Sequence, residues 1–224
     1  DYARRFNKHN VGGMLLYTQR EYKNDVLPSR NQGVSGRATY DYDQRYLFEF
    51  NFGYNGTERL GKGDRFEFFP AVSLGWLVSN EKVFEPLSDV VSSLKLRGSY
   101  GLVGSDETGP SGAPHFLYID QVQVTGNGRP GFTTGENLNV SYYGPVVQQW
   151  AVQNGGWERV KKLDVGFDME LFRELSITFD FFYDKRYNIL LHREAWPQSL
   201  GFHGAKPWSN KGKVDNWGYE VSTN

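Results

Sequence analysis

The chain has 224 residues, a net charge of -1, no cysteine and a mean hydropathy of -0.60. The lack of cysteine excludes a disulfide framework and a thiolate metal site, and the lack of any basic run leaves nothing for nucleic acid to grip. No stretch approaches the roughly 18 consecutive apolar residues of a membrane helix, whereas 14 Tyr, 16 Phe, 6 Trp and 26 Gly favour strands and turns.

Eight strands are predicted. The first covers residues 9–22 and ends at Asn24-Asp25 and Leu27-Pro28. The second, 33–42, sets Ala38, Tyr40 and Tyr42 against Arg37, Thr39 and Asp41, and a short turn, Asp43-Gln44-Arg45, follows. The third, 46–55, alternates most cleanly, with Tyr46, Phe48, Phe50, Phe52 and Tyr54 on one face and Leu47, Glu49, Asn51, Gly53 and Asn55 on the other. Five aromatics on one face are too many to leave in water. A glycine-rich loop, 56–65, leads to the fourth strand, 66–79, where Pro70 lacks a ladder donor and predicts a bulge or local break.

Residues 80–93 read as a longer connection with a helical turn around 86–91. The fifth strand, 94–103, sets Lys95, Arg97 and Ser99 opposite Leu94, Leu96 and Tyr100. A long loop, 104–157, comes next, with extended stretches at 116–125 and 138–143 that suit a local hairpin. Strands six and seven, 158–172 and 175–190, alternate throughout. Leu163, Val165, Phe167, Met169 and Leu171 oppose Lys162, Asp164, Gly166, Asp168 and Glu170, and Leu175, Ile177, Phe179, Phe181 and Tyr183 oppose Ser176, Thr178, Asp180, Phe182 and Asp184. Another loop, 191–210, precedes a final strand from Lys211.

Nearly every strand therefore has one apolar and one polar face, because successive side chains point to opposite sides. Short turns come after strands two and six, and mostly longer loops after one, three, five and seven; the connection after strand four fits this pattern least well. Strands of about ten residues with short and long connections at opposite ends predict an all-β, antiparallel transmembrane barrel with long outer loops. The chain begins at Asp1 and stops inside an alternating run, so it reads as an internal piece of something longer.

Several stretches, in order, resemble the barrel of the SusC/RagA-type TonB-dependent outer-membrane transporters. They are His9-Asn10-Val11 through Tyr17, Arg37 through Tyr42 with Arg45-Tyr46-Leu47, and Phe69-Pro70-Ala71-Val72-Ser73-Leu74-Gly75-Trp76. Leu94 through Gly101, Glu158 through Phe172, Phe182 through Arg186, and Asn210 through Val214 with Asn216, Gly218 and Glu220 continue the series. The resemblance implies that residues 1–224 belong to one barrel domain of about 22 strands, in the bacterial outer membrane, with the plug domain absent from this chain. It also implies a SusD-like surface lipoprotein as partner, a TonB complex acting through the missing plug, and an oligosaccharide or peptide as cargo.

The candidate functional residues fall in two groups. Glu49, Lys95, Arg97, Asp164, Asp168, Glu170, Asp180 and Asp184 are predicted to face the lumen, where they line a path or simply pair across strands. Tyr118, Tyr142, Tyr143, Trp150, Trp157, Trp196 and Trp208 lie in or beside the long loops, where aromatic faces suit sugar rings, peptide side chains or a lid protein. No enzyme is expected: aspartates four apart on a strand lie roughly 13 Å apart, too far for a glycosidase pair. His9, His115, His192 and His203 lack metal spacing, and no cofactor is indicated. The rival architectures are a soluble or surface-attached carbohydrate-binding β-sandwich, a passive porin and a peptide importer of the same family.

Overall fold

The computed structural model describes residues 1–23, 28–107, 116–124, 130–152, 155–192 and 208–224. Nine strands form one antiparallel sheet: β1 (Tyr2–Phe6), β2 (His9–Tyr22), β3 (Ser29–Tyr42), β4 (Tyr46–Thr57), β5 (Phe66–Leu77), β6 (Val91–Ser105), β11 (Glu158–Leu171), β12 (Leu175–His192) and β13 (Trp208–Thr223). Each pairs with the next in that order, so the sheet is a meander with β1 and β13 as its edges. Between β6 and β11 the chain makes β7 (Gln121–Gln123), β8 (Pro130–Thr134), β9 (Val140–Tyr143) and β10 (Val146–Gln149), with β8 paired to β9 and β7 to β10. The eight expected strands are all present, and β1 is added in front of them. The helical turn lies slightly earlier than expected, as two 3-10 turns at Val78–Asn80 and Lys82–Leu87.

The registers put the apolar side chains on a single continuous face. Along one row, Gly13, Ala38, Phe50, Val72 and Tyr100 are successive partners, and the row continues through Leu163, Tyr183 and Trp217. At the short-turn end, His9, Tyr42, Tyr46 and Trp76 are successive partners whose rings lie 5.0, 6.4 and 6.4 Å apart. Along β4 this face reads Tyr46, Phe48, Phe50, Phe52, Tyr54, so hydroxyl-bearing rings bracket three bare ones. Eight residues at about 3.3 Å span ~26 Å along the strand, or ~20 Å at a tilt of about 40°, close to the apolar band of an outer-membrane barrel.

The tight turns at this end are of the primed type, in which both central residues have positive φ and the twist matches that of the strands. Asp43 and Gln44 have φ of 55° and 55°, and Phe172 and Arg173 of 52° and 61°. Backbone bonds from Arg45 N to Tyr42 O (2.9 Å) and from Glu174 N to Leu171 O (3.0 Å) close them.

Of the bulge or local break expected at Pro70, the structure shows the break. The β4–β5 register runs through Phe52 and Pro70 without a shift, and it is the β5–β6 ladder that stops, at Ala71 and Gly101. A residue with no N–H is where the ladder ends. Phe69 fills the opening, its ring lying where a side chain at Gly104 would be, and Leu60, Trp157 and Leu102 pack around it. This interior cluster thus sits at the outer end of the sheet, under the long loop.

Candidate functional site

The registers place Glu49, Lys95, Arg97, Asp164, Asp168, Glu170, Asp180 and Asp184 on one face of the sheet. Glu49, Ser73, Ser99, Asp164 and Phe182 form one row of partners, Arg97, Gly166, Asp180 and Glu220 a second, and Lys95, Asp168 and Thr178 a third. Asp184 lies opposite Lys162, and Glu170 opposite Ser93 and Ser176.

Arg97 is the hub. Its Nη2 donates to Asp180 Oδ2 at 2.6 Å, Nε lies 3.4 Å from Asp168 Oδ2, and Nη1 lies 3.7 Å from Asp164 Oδ1. Asp180 is two strands away, and Gly166 sits in register between the two. A Cβ at Gly166 would fall inside the van der Waals radius of the Asp180 carboxylate. Glycine here opens a gap through which the guanidinium reaches across β11. Asp168 also accepts from Thr178 Oγ1 at 3.2 Å, Lys162 pairs with Asp184 at 3.3 Å, Arg186 with Glu158 at 3.1 Å, and Arg37 with Glu49 at 2.6 Å. The face is thus a mesh of cross-strand ion pairs around a guanidinium that three carboxylates share.

At the outer end the long loop is built down onto the strands. Leu117 and Val152 are buried with Leu190 of β12, and Trp208 of β13 packs against them. Gln149, also buried, donates Nε2 to the carbonyls of Phe116 (3.0 Å) and Ile119 (3.2 Å), and Asp120 Oδ1 accepts from Ala151 N at 2.7 Å. Asp106, where β6 leaves the sheet, accepts from Thr57 Oγ1 at 2.8 Å and so ties the loop base to β4. Of these anchors only Trp208 stood out in the sequence. The signal available at position 149 was the second glutamine of a Val-Val-Gln-Gln-Trp run.

The loop aromatics divide. Tyr142 is half exposed and stacks on Phe132 with ring centres 4.9 Å apart; Trp150 is also exposed, and Tyr118 meets Phe116 edge-on. Two contact candidates are packed against the protein: Trp208, against the Leu117, Val152 and Leu190 cluster, and Trp157. Trp157 is only 6% exposed, meets Phe69 edge-on at 5.2 Å and donates Nε1 to Arg65 O at 3.3 Å, so its ring is part of the interior. The side chain of Tyr143, and Trp196, lie outside the described residues, as do His115 and His203. Among the described residues no cluster of His, Asp or Glu has the geometry of a metal site.

No family model matches the chain. Known proteins do. TonB-dependent receptor P39 of Formosa agariphila is 31% identical over 225 aligned residues, covering 99% of this chain and 19% of that protein. TonB-dependent receptor SusC of Bacteroides thetaiotaomicron is 29% identical over 220 residues, covering 95% of this chain and 21% of SusC. The chain thus spans about a fifth of the length of these relatives. Among solved structures, the RagAB peptide importer in its closed-closed state superposes with a TM-score of 0.77 at 18% identity, over 99% of this chain and 26% of that one. The siderophore receptor PirA of Acinetobacter baumannii superposes at 0.57 and 8% identity, over 99% of this chain and 32% of that one. The fold is that of an antiparallel transmembrane β-barrel segment.

Proposed function

We propose that this chain, a barrel segment related in sequence and fold to TonB-dependent receptors of the SusC/RagA type, forms wall and outer loops of an outer-membrane importer of oligosaccharides. The observation that carries the reading is the division of one nine-stranded sheet into a continuous apolar face and a continuous ion-paired face. In a barrel the first meets lipid and the second a wet lumen. On this reading Glu49, Lys95, Arg97, Asp164, Asp168, Glu170, Asp180 and Asp184 line the lumen. The ion pairs made by six of them, all but Lys95 and Glu170, hold the wall rigid, and on this reading the segment carries no bond chemistry.

The outer loop supports sugar over peptide as cargo. Between residues 116 and 152 its only charged residues are Asp120, Arg129 and Glu136; the rest includes many Asn, Gln, Ser, Thr and aromatic residues. Neutral hydrogen-bonding groups beside aromatic rings suit a neutral glycan, and Tyr118, Tyr142 and Trp150 are the rings best placed to meet one. A SusD-like lipoprotein closes over this end and holds the cargo. TonB, pulling on a plug carried outside this segment, opens the lumen.

Cells producing the complete protein test this directly. They are expected to take up a fluorescent oligosaccharide with TonB present and to lose that uptake when TonB is deleted. Equal uptake without TonB would leave a passive pore, and surface binding without uptake would leave a glycan-binding module.

A further inference from the structure

We infer that the β5–β6 connection is an interfacial anchor whose partner is phospholipid, at the boundary between acyl chains and headgroups on the short-turn side of the membrane. The inference rests on the barrel reading and adds a contact surface to it.

The connection is tied to the apolar face. Glu81, which precedes the 3-10 turn Lys82–Leu87, accepts a hydrogen bond from the Tyr46 hydroxyl at 2.8 Å and one from Trp76 Nε1 at 3.4 Å. Tyr46 and Trp76 are partners in the aromatic row that closes the apolar face at this end. Asn80 Nδ2 donates to Gln44 O at 2.6 Å, and Arg45 lies 3.5 Å from Glu81, so the segment is held beneath the β3–β4 turn as well. The residues after Glu81 therefore continue the lipid-facing surface past its aromatic rim.

The side chains sort accordingly. Phe84 is buried at 7% exposure and pins the turn to the protein, whereas Val83 is 89% exposed and Leu87 54%. Two exposed aliphatic side chains that extend an aromatic rim add to one apolar patch, the kind of surface that marks a membrane contact. Aromatic rims of barrels lie at headgroup level, and an amphipathic segment there buries its apolar side by ~5–10 Å into the acyl boundary while its charges stay wet. Lys82, Glu85 and Asp89 are the charges that stay in the headgroup layer, with a net charge of -1 that gives anionic lipid no attraction. Apolar insertion, with no electrostatic attraction, is thus what holds the segment, and anionic lipid is not expected to strengthen binding.

The test is collision accessibility of a nitroxide attached to Val83→Cys or Leu87→Cys in the complete protein, reconstituted in phosphatidylethanolamine–phosphatidylglycerol vesicles. Leu74→Cys, on the apolar face between the aromatic rows, and Gly63→Cys, in the open β4–β5 loop, set the lipid and water references. The ratio of oxygen to nickel-chelate collisions at 83 and 87 is expected to be several-fold above that at 63 and below that at 74. A ratio equal to that at 63 would overturn the inference, and so would exclusion of both reagents, which would mean a protein partner covers the site. If 74 itself reads as water, the barrel reading falls first and the anchor with it.

Discussion

Arg97 contacts Asp180 only because residue 166 has no side chain. Gly166→Ala is therefore expected to destabilise the sheet by about 1–3 kcal/mol, the usual range for overpacking a filled position. Part of that cost should vanish in an Asp180→Ala background, where the carboxylate is gone, and a double-mutant cycle by denaturant titration measures the coupling. If the two changes are simply additive, the gap has no role. A second residue-scale effect lies in the turn beyond the strands. The hydrogen bond from Lys8 Nζ at 3.0 Å holds the Asp43 carboxyl below the ordinary aspartate range. A depressed folded-state pKa contributes stability above the unfolded value of about 3.9, and that contribution is lost as pH falls through the folded value. Lys8→Gln should move the Asp43 titration upward, as read by carboxyl carbon NMR; an unmoved curve would contradict the assignment. The faces of these residues were legible in the sequence, since alternation alone puts Arg97, Asp164 and Asp180 on polar sides. Their contact was not. β6 and β11 are separated by a loop of more than 50 residues, and alternation within a strand says nothing about which rows meet across such a gap.

At the scale of elements, the test of orientation is depth. Phe50 lies midway between Tyr46 and Tyr54 on β4. If that face meets lipid, Phe50→Arg should cost about 2–4 kcal/mol and Tyr46→Arg, at the rim, about 0–1 kcal/mol, in guanidinium titrations of the protein refolded into lipid vesicles. Equal costs at the two depths would argue against a bilayer. The β11–β12 turn offers a gain instead. Phe172 and Arg173 both hold positive φ without being glycine or asparagine, so Asn-Gly at these positions should raise stability by about 1 kcal/mol. Strands β2–β6 and β11–β13 were legible because each alternates strongly in its own chemistry. β1 was not, because Tyr2-Ala3-Arg4-Arg5-Phe6 becomes a strand through its pairing with His9–Gly13, and not through its composition. Pro70 was legible as an interruption, but which neighbour it would interrupt was not: that depends on how Phe69, Leu60 and Trp157 fill the space between β5 and β6.

Across the whole molecule, the barrel reading has the two faces of the sheet meet two different solvents, and every other functional feature proposed depends on that division. The bottom-end turns, the aromatic rows and the loop packed onto the outer rim are consistent with it and with the RagAB fold. The loop shows the limit of sequence reading at this scale. Its aromatics invited a ligand role as a group, yet Trp157 turned inward because the ladder gap at Pro70 left an apolar space to fill. The most direct measurement is a scan of single cysteines from Phe48 to Gly53 in β4, in the complete protein in vesicles, each carrying a nitroxide. Oxygen accessibility is expected to peak at Phe48, Phe50 and Phe52, with accessibility to the water-soluble nickel chelate confined to Glu49, Asn51 and Gly53. If the apolar positions prove closed to both reagents, they lie inside a protein core. The sheet is then half of a sandwich, and the membrane account is wrong.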